Sequence, residues 1–207
     1  MTIDRRRFIH AFAAGIAVTA LPASAAVVTP RQSAGPFYPD QLPLDDDNDL
    51  VRVSGRSEPA KGQVSDLTGR LLDRNGQPVG NTRIEIWQCD ANGRYRHTRD
   101  PGRSPIDPGF QGFGRAVSDA QGRYRFRTIR PVSYPGRTPH IHVAVYPDGE
   151  RPFVTQLYVA DEPRNAEDFL YRRIPVEQRG LVTAAFEPAT ADGQELQARW
   201  DVILGIG

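Results

Sequence analysis

The sequence predicts an all-β protein: an antiparallel β-sandwich with an extended N-terminal arm and one or two short helices. Nineteen glycines and eighteen prolines in 207 residues interrupt the chain too often for long helices. Apolar and polar residues alternate in several short segments, such as residues 83–89 and 123–128. Turn dipeptides such as Asn75-Gly76 separate these segments. Short strands at turn-punctuated spacing are typical of two packed sheets.

The composition excludes several classes of function. There are 26 basic and 25 acidic side chains, so the net charge of +1 supplies no basic surface for a phosphate backbone, and we expect no nucleic-acid partner. Hydrophobic residues make up 39% of the chain, which is typical of a globular domain. No run of eighteen apolar residues is present, so we expect no membrane span in the mature chain.

Residues 1–25 have the pattern of a twin-arginine export signal. Paired arginines precede an apolar run from Ile9 to Leu21, and the small-x-small sequence Ala-Ser-Ala follows at residues 23–25. The apolar run is too short to cross a bilayer unaided. We therefore expect cleavage after Ala25 and export of the folded protein to the periplasm or the medium.

The mature chain divides into an arm and one domain. Residues 26–66 are predicted to form an extended arm, because the Pro-, Gly- and Asp-rich stretch 29–49 has neither helical nor strand periodicity. Residues 67–207 are predicted to form the sandwich. The single cysteine, Cys89, allows no internal disulfide and is expected to be buried.

Within the domain, further strands are predicted at residues 139–146, 153–160 and 195–204. In the last of these, alternate residues are apolar and should share one buried face. One short helix is predicted after Asn165, whose side chain could cap it.

The segment 139–146 carries candidate metal ligands. Side chains two apart in a strand point the same way, so His140 and His142 should face one side while the apolar residues between them enter the core. Two neutral imidazoles can chelate zinc, copper, iron or nickel. The spacing by itself does not identify the metal. It is also compatible with an ordinary polar strand face that binds no metal.

Two tyrosines lie near this strand in the predicted fold. Tyr134 occupies the turn before it, and Tyr95 follows the strand that ends near Cys89. Residues 130–147 contain no Asp or Glu, and the first carboxylate after them is Asp148, so tyrosine is the available anionic ligand. A phenolate suits ferric iron, and two phenolates would neutralise two of its three charges.

Six segments resemble, in order, those of the intradiol ring-cleavage dioxygenases. The resemblance is greatest to the β-subunit type of protocatechuate 3,4-dioxygenase, and it covers nearly all of the mature chain. The segments are residues 29–39, 86–97, 110–115, 124–129, 139–142 and 155–158.

The resemblance implies a non-haem Fe(III) cofactor and a catechol-type substrate that O2 cleaves between its two hydroxylated carbons, giving a cis,cis-muconate-type product. It implies that Tyr134 also acts as a base, that Arg137 stabilises the electron-rich substrate, and that Gln156 orients Arg137. Gly35 and Pro36 would line the substrate pocket. The implied iron ligands are Tyr95, Tyr134, His140 and His142.

Two other interpretations remain at this point. The segment 69–79 has a Gly-x-x-x-Asp-x-x-Gly-x-Pro-Val pattern that is also found in transthyretin-like sandwiches, which bind or brace without catalysis. A copper or zinc enzyme could also use the histidine pair. Only five residues separate Tyr134 from His140, fewer than in the protocatechuate and catechol enzymes, so a more open pocket is expected. Pairing with a second copy is left open.

Overall fold

The computed structural model describes residues 26–43, 45–189 and 191–207, so the predicted export signal lies outside the described residues. The described part of the chain folds into ten strands and three short 3-10 helices, and the strands form two five-stranded sheets. The predicted all-β sandwich is thereby confirmed. Within the same ranges, no helix has the length and apolarity that a membrane crossing requires.

The elements alternate with turns along the chain. The 3-10 helices are Pro163–Ala166, Tyr171–Arg173 and Val176–Val182. The strands are β1 Val64–Leu72, β2 Arg83–Trp87, β3 Phe113–Val117, β4 Arg123–Ile129, β5 His140–Tyr146, β6 Phe153–Val159, β7 Thr183–Ala184, β8 Glu187–Pro188, β9 Leu196–Arg199 and β10 Val202–Ile203.

Both sheets are mixed rather than purely antiparallel. In sheet I, β1 pairs with β4 antiparallel on one edge and with β9 and β10 parallel on the other, and β8 pairs with β9. In sheet II, the order is β3-β2-β5-β6-β7, and only β6 and β7 are parallel. Parallel neighbours need long connections, so the tight-turn signals of the sequence could not reveal these pairs.

The hydrophobic core lies between the sheets. Strand β5 contributes Ile141, Val143 and Val145 to it, and all three are fully buried. The predicted alternation of this strand is therefore confirmed. Because successive side chains of a strand point to opposite faces, His140 and His142 lie on the outward face of sheet II.

The segment predicted as one strand over residues 195–204 is divided into β9 and β10 by Trp200 and Asp201. A Cβ atom on Gly69 would be only 1.7 Å from the Trp200 carbonyl oxygen, so this oxygen occupies the space that a side chain would need. The same oxygen accepts a hydrogen bond of 2.6 Å from the Tyr124 hydroxyl. This break does not change which side is buried. The apolar residues predicted to share a face are all buried: Leu196, Ala198, Trp200, Val202 and Leu204.

A short helix forms at Asn165, but it begins before this residue rather than after it, and its cap is different. The 3-10 helix Pro163–Ala166 is capped by Glu162, and Asn165 lies inside it. The Asn165 side chain instead accepts a hydrogen bond from the Thr138 hydroxyl and donates one to the Val159 carbonyl, both at 2.8 Å. The prediction that Asn165 caps the helix was wrong, because its side-chain amide is hydrogen-bonded to Thr138 and Val159 instead.

The arm is extended, as predicted, and covers the outward face of sheet II. The described residues between 26 and 63 contain neither helix nor strand, and β1 begins at Val64, three residues inside the stretch predicted as arm. The backbone N–H of Gln32 donates to the Val154 carbonyl at 2.9 Å, which fixes the arm along β6. Farther on, Phe37 and Tyr38 pack on the outward face. The arm thus forms a wall over the two histidines.

Candidate metal centre and active site

The fold brings the four predicted ligands together on the outward face of sheet II. His140 and His142 project from β5, Tyr134 lies in the turn before β5, and Tyr95 lies in the loop after β2. The ring centroids of consecutive neighbours are 4.7 Å (His140–His142), 5.5 Å (Tyr134–His140), 5.2 Å (Tyr95–Tyr134) and 6.1 Å (Tyr95–His142) apart. The four rings therefore enclose one common space.

The two imidazoles have the geometry and charge state of metal ligands. His140 Nδ1 lies 2.6 Å from the Thr138 carbonyl oxygen, which can only accept, so Nδ1 carries the hydrogen and Nε2 keeps a free lone pair. The Nε2 atoms of His140 and His142 are 3.2 Å apart. Two nitrogens bound to one ion at about 2.1 Å, near a right angle, would be similarly spaced. Burial lowers the pKa of His140 to about 3 and that of His142 well below its usual value, so both are neutral.

The two phenols complete the donor set. The Tyr95 hydroxyl is buried and has no hydrogen-bond partner among the described residues, and burial raises its pKa well above the usual value. Burial also raises the pKa of Tyr134, although the neighbouring Arg137 opposes the shift. A buried hydroxyl without a partner costs about 1–3 kcal/mol, so a cation placed against Tyr95 would relieve a real penalty.

This donor set fits ferric iron. In the part of the chain that the structure describes, no three His, Cys, Asp or Glu side chains cluster as a metal site. An ion held here therefore needs the tyrosine oxygens as well as the imidazoles. Imidazole is a common iron ligand, and tyrosinate is an established anionic ligand of ferric iron.

Two neighbours fix the ring of His142. The Trp87 indole stacks on it with a centroid distance of 5.0 Å and an interplanar angle of 4°. Gly35 of the arm lies at its edge: a Cβ on Gly35 would be 3.1 Å from His142 Cε1, and the residue has a φ of +69°. Only glycine combines this backbone conformation with this close approach. Gly35 therefore contacts one of the four candidate ligands.

We expect Gly35→Ala to weaken metal binding because the added methyl group displaces the His142 ring. The affinity for Fe(III) should fall roughly tenfold, as is typical when a group that orients a ligand is disturbed. Gly149→Ala is a matched control, since Gly149 has a φ of +72° and nothing within 4 Å of a Cβ. Competition with a chelator measures both affinities. Equal iron affinity in the two variants would show that the contact with His142 has no role.

Arg137 lies beside the four rings and is held by three hydrogen bonds. Its Nε donates to Asp168 Oδ2 at 2.7 Å, Nη2 donates to Gln156 Oε1 at 2.6 Å, and Nη1 donates to the Tyr134 hydroxyl at 3.5 Å. Gln156 is fully buried and donates in turn to the Ser33 carbonyl of the arm at 3.0 Å. The structure thus brings Arg137, Gln156 and Tyr134 together, and it links Arg137 to the arm.

Asp168 is a candidate site residue, because it pairs with Arg137, and sequence reasoning missed it. Its side chain is fully buried and, besides Arg137, accepts backbone N–H bonds from Thr138, Leu170 and Tyr171 at 2.9–3.1 Å. Burial alone would raise the pKa of its carboxyl, but the hydrogen bonds from Arg137 and the backbone outweigh it and hold the pKa below the usual value. Nothing in the sequence around Asp168 indicates that it pairs with Arg137, which is 31 residues away.

Phe37 and Trp87 were also missed as site residues. Phe37 stacks on Tyr95 with a centroid distance of 4.8 Å and lies edge-on to Tyr134 at 6.1 Å. Both aromatic residues lie within segments that carry the family resemblance. Only the folded chain shows that they pack against Tyr95 and His142.

A cleft of about 630 Å³ opens beside Tyr95 and Tyr134. Gly35 and Pro36, the two residues expected at a substrate pocket, line this cleft together with Phe37. Its other walls include residues 100–102, residues 134–137, and Phe169, Leu170 and Arg173. A cleft of this size beside convergent polar groups is typical of a small-molecule site.

Comparison with known proteins identifies the family. A family model described as Dioxygenase matches residues 33–205. The chain is 38% identical over 186 residues to the protocatechuate 3,4-dioxygenase beta chain of Burkholderia cepacia, which covers 84% of this chain and 78% of that protein. It is 31% identical over 177 residues to catechol 1,2-dioxygenase of Acinetobacter baylyi, which covers 77% of this chain and 54% of that enzyme.

Comparison with solved structures supports the same family. The dioxygenase domain of a dioxygenase carbohydrate-binding protein fusion from Streptomyces sp. SirexAA-E superposes with a TM-score of 0.69 at 28% identity, covering 87% of this chain and all of that one. A non-enzymatic transthyretin-like module is therefore the wrong interpretation of the Gly- and Pro-punctuated strands. The match over residues 33–205 and the relative at 38% identity establish that this chain belongs to the intradiol ring-cleavage dioxygenases, and that it is an oxidoreductase.

Proposed function

We propose that the protein cleaves a catechol-type substrate between its two hydroxylated carbons, using a non-haem ferric ion held by Tyr95, Tyr134, His140 and His142. The observation that carries the proposal is the enclosed donor set. Two neutral imidazole Nε2 atoms 3.2 Å apart adjoin a buried phenol that has no hydrogen-bond partner in the described chain. The relatives named for catechol and protocatechuate support the substrate class.

When bound there, a ferric ion would act as a Lewis acid that lowers the pKa of the substrate hydroxyls and makes the deprotonated ring reactive towards O2. Tyr134 is only half-buried and borders the cleft, so its oxygen is placed to take a hydroxyl proton from the substrate. Tyr95, by contrast, is buried, so in this proposal it acts as a ligand only.

Arg137 supplies positive charge where the substrate becomes electron-rich. Its guanidinium is 3.5 Å from the Tyr134 oxygen and lines the cleft, so it stabilises negative charge on the phenol and on the substrate ring. Gln156 and Asp168 hold the guanidinium in this orientation before substrate enters. Such preorganisation is what makes an electrostatic contribution effective in a site with little water.

The overall reaction incorporates both oxygen atoms of O2 into a cis,cis-muconate-type product, so the atoms balance without an external reductant. The twin-arginine pattern of residues 1–25 supports the further proposal that this reaction takes place outside the cytoplasm. Export as a folded protein would allow iron to be loaded before translocation.

The test is direct. Purified mature protein should bind about one iron per chain, show a broad visible absorption from phenolate ligation, and consume O2 with a panel of catechols, hydroxyquinol and protocatechuate. Muconate absorbance should appear as O2 is consumed. A yellow semialdehyde product would mean cleavage outside the two hydroxyls and would contradict the proposal, as would a colourless protein after iron loading.

A further inference from the structure

We propose that the outer part of the cleft binds a carboxylate at the end of a short apolar substituent on the catechol ring, and that Arg173 is its partner. The inference rests on the proposed function, because the catechol ring must lie beside Arg137. It adds a substrate class and a specificity-determining residue to that function.

The charges around the cleft are balanced except at its outer end. Arg137 is paired with Asp168 at 2.7 Å, and Asp100 in the cleft wall is paired with Arg94 at 2.9 Å. Arg173 also lines the cleft, is exposed, and makes no ion pair with any residue that the structure describes. The outer end of the cleft thus carries an unbalanced positive charge, which favours an anionic ligand group.

Phe169 connects the inner and outer parts of the cleft. Its ring centroid lies 5.4 Å from the guanidinium carbon of Arg137 and 5.9 Å from that of Arg173. The two guanidinium carbons are therefore separated by at most these two distances together, about 11 Å. The Phe169 side chain is 53% exposed, so its ring presents an apolar surface between the two guanidinium groups.

This arrangement defines the shape of the ligand. A substituent leaving a catechol ring beside Arg137 passes the apolar Phe169 ring before it reaches Arg173, so it should be apolar along its length and anionic at its end. The cleft volume of about 630 Å³ is in the range of sites for drug-sized ligands, so a bare catechol would leave much of it empty. A two- or three-carbon acid side chain meets both requirements.

The experiment compares 3-(3,4-dihydroxyphenyl)propanoate with its primary amide, which has the same shape and no charge. The wild-type enzyme should prefer the acid by about fivefold in kcat/KM, the effect expected for one partly exposed ion pair. Arg173→Gln should abolish this preference by raising KM for the acid towards the KM for the amide. Arg172→Gln is the matched control, because Arg172 is exposed on the same 3-10 helix and does not line the cleft.

Anaerobic calorimetry gives the Kd of both compounds without turnover, so binding and catalysis are read separately. Cleavage of 4-methylcatechol with equal kcat/KM for acid and amide would overturn this inference and leave the proposed function intact. A preference that survives in Arg173→Gln would overturn it as well. Failure to open any catechol ring would contradict the proposed function, and the anaerobic Kd values would then decide whether Arg173 binds the carboxylate.

Discussion

Tyr95→Phe should abolish most iron binding while leaving the metal-free protein as stable as the wild type or more so. The Tyr95 hydroxyl is buried and makes no hydrogen bond of standard geometry in the described chain, so the metal-free fold gains little from it. Removing it should raise the free energy of unfolding by about 1 kcal/mol. With an anionic ligand lost, iron affinity should fall by at least roughly tenfold and turnover by roughly 100-fold.

Tyr124→Phe provides the control for this experiment. The Tyr124 hydroxyl is also buried, but it donates a hydrogen bond of 2.6 Å to the Trp200 carbonyl between β9 and β10. This variant should lose about 1 kcal/mol of stability and keep its iron and its visible absorption. Urea unfolding of the metal-free proteins, iron analysis and absorbance distinguish the two cases. Full iron retention by Tyr95→Phe would exclude Tyr95 as a ligand.

Arg137→Ala should keep the iron and the visible colour but slow turnover by roughly 100-fold, because the positive charge that stabilises the electron-rich substrate is removed. The same variant should be less stable by about 3 kcal/mol, since the Asp168 carboxylate, which is fully buried, would lose its partner. Steady-state oxygen uptake measures the first effect, and urea unfolding measures the second.

The double variant Arg137→Ala with Asp168→Asn separates these two roles. Replacing the carboxylate by an amide removes the unpaired buried charge, so stability should recover in large part. Turnover should remain low, because the guanidinium is still absent. If turnover returned together with stability, Arg137 would have only a structural role, and the electrostatic part of the proposed function would be wrong.

Much of the fold could be predicted because it follows from local pattern. The alternation in β5 was sufficient to place Ile141 and Val143 in the core and both histidines on the other face. Prediction from local pattern failed where contacts between distant segments decide where a strand begins or ends. Trp200 interrupts the last predicted strand because its carbonyl fits above Gly69, and no property of residues 195–204 alone indicates this.

In the candidate site, too, some features could be predicted from the sequence and others depend on contacts between distant segments. The His-x-His spacing and the order of the family segments identified the four predicted ligands, but they gave no sign of Asp168 or of the contact between Gly35 and His142. Asp168 meets Arg137 only because the chain turns back through a 3-10 segment after β6. The unpaired Arg173 at the end of the cleft likewise depends on which arginines have found acidic partners in the folded chain.

The sequence by itself determined the all-β class, several of the longer strands with the buried face of β5, the family, and the types of donor atom available for a metal. Only the tertiary structure decided that these donors enclose one space, that Arg137 is held by Asp168 and Gln156, and that the arm closes over the histidines. Strand alternation is fixed by backbone geometry within a few residues. The relative positions of loops depend instead on which packed arrangement best buries apolar surface and pairs the buried charges, and that is a property of the whole chain.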